Sequence, residues 1–316
     1  MYFPSSYYRL KARSALKGHW QTALLIALVV NLPTMLMQGV SAFTGNDALA
    51  RLQYVIVSAS RDGMMSSALL QQEIDAILGS TQFWVIRGVE VVAWLITPCL
   101  SLGMFKWLMD RLRGGDGPVS TVFCRAGIFL KAIGLQLLII LKVLLWMLPG
   151  IAVTAAVFAS TAAPRIGTLM TVEQQYALLS SMNMLTPLAI AAIAVPGVLA
   201  ALRYALAEYI QADEPETKIT DCIRRSRQLM AGNKKNLFFL MLSFLLWYLL
   251  ELLVASYLSG MGAGVVSLVF QMLVALALHV YTSAAVAAFF LTLAKGGPEE
   301  AKAEEAEQEG ETQIDP

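Results

Sequence analysis

Six long apolar stretches, separated by short charge-bearing connections, constrain this chain more than any other feature. They lie at roughly 20–40, 83–108, 128–158, 184–210, 236–258 and 264–294. A helix needs about 20 apolar residues to cross the hydrocarbon core, where its backbone polar groups must pair internally. Each stretch reaches that length, and the third, fourth and sixth exceed it. Charged residues make up 14% of the chain, against about 25% in a soluble domain. That is too few to coat a globular surface. The expected fold class is all-α: a polytopic membrane helical bundle of about six transmembrane helices with interfacial amphipathic helices. Pro33, Pro98, Pro149, Pro187 and Pro196 fall inside the stretches, which membrane helices tolerate when neighbours satisfy the freed carbonyls.

Basic residues in the connections orient the bundle. One side collects Arg9, Lys11, Arg13 and Lys17, then Lys106, Arg111, Arg113, Arg125 and Lys131. It also collects Lys218, Arg224, Arg225, Arg227, Lys234 and Lys235, and finally Lys295 and Lys302. The opposite side has Arg51, Arg61 and Arg165. This alternation predicts both termini in the cytoplasm. Val40-Ser41-Ala42 loosely matches a signal-peptide cleavage site, but the long basic start and the interruptions at Asn31 and Pro33 favour a retained first span.

The expected organisation has three parts. Residues 1–19 form a basic amphipathic cytoplasmic segment. Residues 20–295 form the membrane domain, with an outer loop at 41–82 and a cytoplasmic surface helix at 213–233. Residues 296–316 form a disordered acidic tail. In the outer loop Leu49, Leu52 and Ile56, then Leu70, Ile74, Ile77 and Leu78, recur at helical spacing and predict two short amphipathic helices. In the surface helix Ile219, Cys222, Ile223, Leu229 and Met230 form an apolar stripe, with Arg224, Arg225 and Arg227 off it. Pro215 suits its first turn and Gly232-Asn233 its stop. Such a helix is expected in the headgroup plane. Lys11, Arg13 and Gly18 align with Arg225, Arg227 and Gly232 at a constant offset of 214, and Arg125-Ala126-Gly127 forms a fainter third match. The pattern fits three copies of a surface helix plus a two-span hairpin, and equally a chance match or a shared topogenic need for basic residues before a span.

Residues 299–316 hold eight acids and one base, while the rest carries 22 Lys and Arg against 14 Asp and Glu, a net +8. That excess points to a bilayer with an anionic inner leaflet as a partner. The acidic tail reads as a solubilising segment, with docking of a basic protein partner as the alternative. Basic residues spread over several loops point away from nucleic acid. Cys99, Cys124 and Cys222 have neither disulfide-framework nor metal-ligand spacing.

Nucleophile-elbow, zincin, P-loop and dinucleotide-binding signatures are absent from the sequence. No catalytic, cofactor-binding or metal residue is expected, and no cofactor. The chemistry-bearing candidates are polar groups inside the spans: Lys142, Glu251, Glu90, Arg87 and His279. A charge at the bilayer centre costs roughly 2.5–3.5 kcal/mol on insertion scales, so it should face protein and have a partner. Glu90 and Glu251 are the available partners for Lys142. One reading is a proton, ion or solute path. The other is a structural ion pair.

Residues 196–248 carry a resemblance. Pro196-Gly197 leads to Arg203-Tyr204, then Tyr209, Asp213 and Pro215, Arg225-Ser226, Leu229-Met230, Gly232-Asn233-Lys234, Leu242-Ser243-Phe244 and Trp247. Ala12-Arg13 through Gly18, and Leu145-Trp146 before Pro149-Gly150-Ile151, add to it. Together they resemble the bacterial integral membrane family called domain of unknown function 975, with departures at Ala205, Glu208 and Met241. The resemblance implies a multi-pass bacterial plasma-membrane protein and supplies no catalytic or binding residue. The function expected is a non-enzymatic envelope accessory or assembly component. The alternative is a small-solute or lipid transporter using the buried charges.

Overall fold

A computed structural model describes residues 4–44, 67–161, 172–261 and 264–295. Among them every regular element is helical. In chain order these are α1 (Ser5–Leu16), α2 (Trp20–Thr44), α3 (Ser67–Leu78), α4 (Thr81–Leu112) and a 3₁₀ segment (Val119–Ile128). Then come α5 (Phe129–Thr161), α6 (Val172–Tyr204), α7 (Ala207–Asp213), α8 (Ile219–Leu229), α9 (Lys234–Gly260) and α10 (Gly264–Ala294). Among the described residues six helices are long and apolar enough to cross a membrane, which makes the chain a polytopic helical membrane protein. At 33 residues each, α5 and α6 run about 50 Å, well beyond the hydrocarbon core.

The long helices pair into three hairpins: α2 with α4, α5 with α6, and α9 with α10. The elements between hairpins gather at one end, called here the basic end. The core lies there. The second half of α10 is buried on all sides, from Val280 through Ala284–Leu291. Small Ala284, Ala285, Ala287 and Ala288 let neighbours approach closely, the packing membrane helices rely on where lipid tails remove any hydrophobic gain. In α4, Met104, Trp107, Leu108 and Met109 fill the adjoining space, and the Trp107 indole donates to the Gly117 carbonyl at 2.8 Å.

The offset of 214 proves to be structural. Tyr8, Ala12 and Leu16 are the buried residues of α1, and Cys222, Ser226 and Met230, each 214 further on, are buried as well. Gly18 and Gly232 both end their helices in the left-handed region, at φ +82° and +84°, where glycine alone pays no steric penalty. The next helices start at Trp20 and Lys234, again 214 apart. Their buried positions Ala23, Ile26 and Val30 match Leu237, Leu240 and Phe244. The middle copy is partial. Its surface element is 3₁₀, with Val122 as its buried residue, but Ala132 and Leu135 keep the buried register of Ala23 and Ile26.

Each surface element packs on the hairpin of another copy. The 3₁₀ segment sits on α2 and α4, α8 on α5 and α6, and α1 on α9 and α10. The arrangement is a pseudo-threefold ring whose first helix is seated by its last hairpin. Tyr8 stacks edge-on with Phe289 at 5.2 Å, and the Tyr281 hydroxyl donates to the Arg9 carbonyl.

Two expectations change. The surface helix begins at Ile219 rather than near 213, because Glu214 precedes proline and takes a non-helical conformation (φ −116°, ψ 82°) that stops the preceding helix. Its apolar stripe is covered by α5, α6 and α7 rather than by lipid. Within 41–82, α3 corresponds to the second amphipathic helix. Leu49, Leu52 and Ile56, and the acidic tail, lie outside the described residues.

Candidate functional site

The densest polar construction lies where the fourth span ends at the basic end. The helix breaks between Tyr204 and Ala207, which frees backbone groups inside the protein. Fully buried Ser226 of α8 repairs the break: its hydroxyl donates to the Arg203 carbonyl (3.0 Å) and accepts from the Leu206 N–H (3.2 Å). Tyr209 of α7 stacks on Phe105 with 4.4 Å between ring centroids and donates to the Ser283 carbonyl at 3.2 Å. One short helix thus touches the first and third hairpins.

Around the end of α7 an ionic clasp forms. Arg113 grips Asp213 with two parallel bonds of 2.8 and 2.7 Å, the bidentate geometry that makes Arg–carboxylate pairs strong. The Asp213 carboxylate pushes the Arg113 guanidinium above its ordinary range. Lys106 lies 2.7 Å from Asp110 and 3.7 Å from Asp213. Arg125 directs two N–H groups at the Ala212 carbonyl (2.9 and 2.6 Å), and Lys131 donates to Pro215 O at 3.1 Å. Glu214 is held by Arg225 at 2.5 Å. Basic residues between the first two hairpins therefore fasten the segment that follows the second. Cys222 lies beneath this clasp, and burial, with help from Glu214, pushes its thiol up to about 11.

The intramembrane candidates are not brought together. Arg87 and Glu90 pair with each other at 2.7 Å, one turn apart on α4. Lys142 and Glu251 are half-buried on α5 and α9, and neither makes an ion pair among the described residues. The pairing of Lys142 with Glu90 or Glu251 is therefore not present. His279 on α10 has a buried, unpartnered Nε2. On α8, Arg224 pairs with Asp221 at 3.0 Å, Arg225 joins the clasp, and Arg227 is exposed. Among the described residues no three His, Cys, Asp or Glu side chains converge as metal ligands.

Ser226, Asp213, Arg113 and Arg125 were missed as a group because they are far apart in sequence. The signal available was the Arg203-to-Asp213 run followed by Arg225-Ser226.

Three helical hairpins bound by a polar clasp at one end define a class: a polytopic α-helical membrane protein with an internal repeat. More particularly, the family model described as "Protein of unknown function (DUF975)" matches residues 1–296, and the chain belongs to that family. No curated protein and no solved structure matches it.

Proposed function

We propose that the chain is a non-enzymatic accessory or assembly component of the bacterial plasma membrane, with both termini in the cytoplasm. The observation that supports this is how its polar groups are used. The strongest ones, from Lys106 to Arg125 and from Arg203 to Ser226, hold hairpins to one another at the basic end. Lys142, Glu251 and the Arg87–Glu90 pair stand on separate helices, and no ion pair joins them among the described residues. A rigid collar carrying long, lipid-facing helices fits a component that other membrane proteins pack against. The acidic run from Glu299 to Asp315 offers a basic partner a second contact by charge.

Crosslinking in native membranes followed by affinity recovery tests this. A partner protein in fixed ratio is expected, with reduced recovery when residues 299–316 are deleted. Consistent recovery of the chain alone would overturn the proposal.

A further inference from the structure

The pseudo-threefold ring has three seams, each joining the first helix of one hairpin to the second helix of the hairpin before it. Two are closed by packing. At the α2/α10 seam, Trp20 meets Tyr281 edge-on at 6.3 Å. At the α5/α4 seam the corresponding position, by the local register, is Phe129, which is exposed, and the two helices close the seam by direct contact. At the α9/α6 seam the position equivalent to Trp20 is Lys234, followed by Lys235. This seam is open. It holds two adjoining cavities of about 430 and 380 Å³ that share Val198, Leu202 and Phe238.

The walls explain the opening. On the α6 side Ala194, Ala201 and Ala205 are small and leave space before α9, Pro196 lies within the helix between the first two, and the break after Tyr204 ends it. On α9 the groove runs from Lys234 and Lys235 past Phe238 to Leu245. It is a long apolar slot with two ammonium groups at one mouth. Neither lysine forms an ion pair among the described residues. Both sit in the first turn of α9, where a positive charge opposes the helix dipole, so helix stability does not account for them.

We propose that the α6/α9 seam binds one anionic phospholipid, with an acyl chain in the slot and the phosphate at Lys234 and Lys235. A chain leaving the bilayer for the slot gains little hydrophobic free energy, since lipid tails are already apolar. Selectivity therefore rests on the charge match at the mouth, and the slot fixes where the lipid sits.

The test uses the full chain, purified in mild detergent and mixed with micelles containing equal phosphatidylglycerol and phosphatidylcholine of identical acyl chains. Native mass spectrometry counts retained lipid. The wild type should retain one phosphatidylglycerol in preference to phosphatidylcholine. Lys234→Gln/Lys235→Gln should lower that preference on the order of 25-fold, about fivefold per lysine. Arg13→Gln/Arg227→Gln removes the same charge from exposed positions outside the slot and should leave retention unchanged. Ala201→Phe fills the slot from its exposed wall and should expel the lipid with both lysines present. Equal retention of the two lipids, an equal loss in the arginine variant, or full retention in Ala201→Phe would each overturn the proposal.

Discussion

Ser226 shows what one hydroxyl does at a break in a membrane helix. It serves as donor to Arg203 O and acceptor for Leu206 N, and no exposed surface reaches it. Ser226→Ala leaves both backbone groups buried and unpaired, which costs about 1–3 kcal/mol. Thermal unfolding in detergent should fall accordingly, whereas exposed Thr220→Ala should leave the midpoint in place. The cysteines give a second check at this scale. Cys124 is exposed, while Cys99 and Cys222 are buried. Cys222 is further held as thiol, because a group pushed up to about 11 stays protonated near neutral pH and thiolate is the reactive form. Maleimide at pH 7.5 should therefore label Cys124 first, with Cys222 labelled only on unfolding. Fast labelling of Cys222 in the native protein would contradict the covered face of α8. Hydropathy placed Lys142 and Glu251 at depth in their spans, but depth says nothing about the direction a side chain takes around its helix. Similar depth therefore made Glu251 an available partner for Lys142 without making them a pair.

Between elements, close approach rests on glycine. A Cβ at Gly103 of α4 would run into the Val122 carbonyl, and one at Gly150 of α5 into the Ala192 carbonyl of α6. Both obstacles are backbone, which cannot swing aside as a side-chain tip can. Gly103→Ala should destabilise by about 1–3 kcal/mol, the range for overpacking a filled contact. Gly127→Ala meets nothing within 4 Å and should be neutral. Midpoints from tryptophan fluorescence in detergent would separate the two, and equal midpoints would refute the contact between α4 and the 3₁₀ segment. All six spans were legible because apolar runs of this length have few other uses. The amphipathic stripe of α8 was legible too. What covers that stripe was not, since the same pattern serves a lipid surface or a protein groove.

Over the whole molecule, the repeat was visible in the sequence as three residues at one offset and becomes a ring only in three dimensions. The ring makes a claim about order. The buried face of α1, comprising Tyr8, Ala12 and Leu16, is seated against α9 and α10 as well as α4. Phe289, which Tyr8 meets edge-on, and Tyr281, which donates to the Arg9 carbonyl, both belong to the last hairpin. A chain ending at residue 230 keeps the first two hairpins and the clasp from Arg113 to Asp213, yet gives α1 no last hairpin to sit on. Ala12→Cys in an otherwise cysteine-free chain reads this directly, because the position is fully buried and the added thiol is small. The full chain should protect it from a membrane-impermeant maleimide, and the chain cut at 230 should expose it, with labelling faster by at least tenfold. Equal protection in both would mean that α4 alone seats α1. The ring would then be an open stack, and the α6/α9 seam would lose the equivalence that sets it apart from its two closed counterparts.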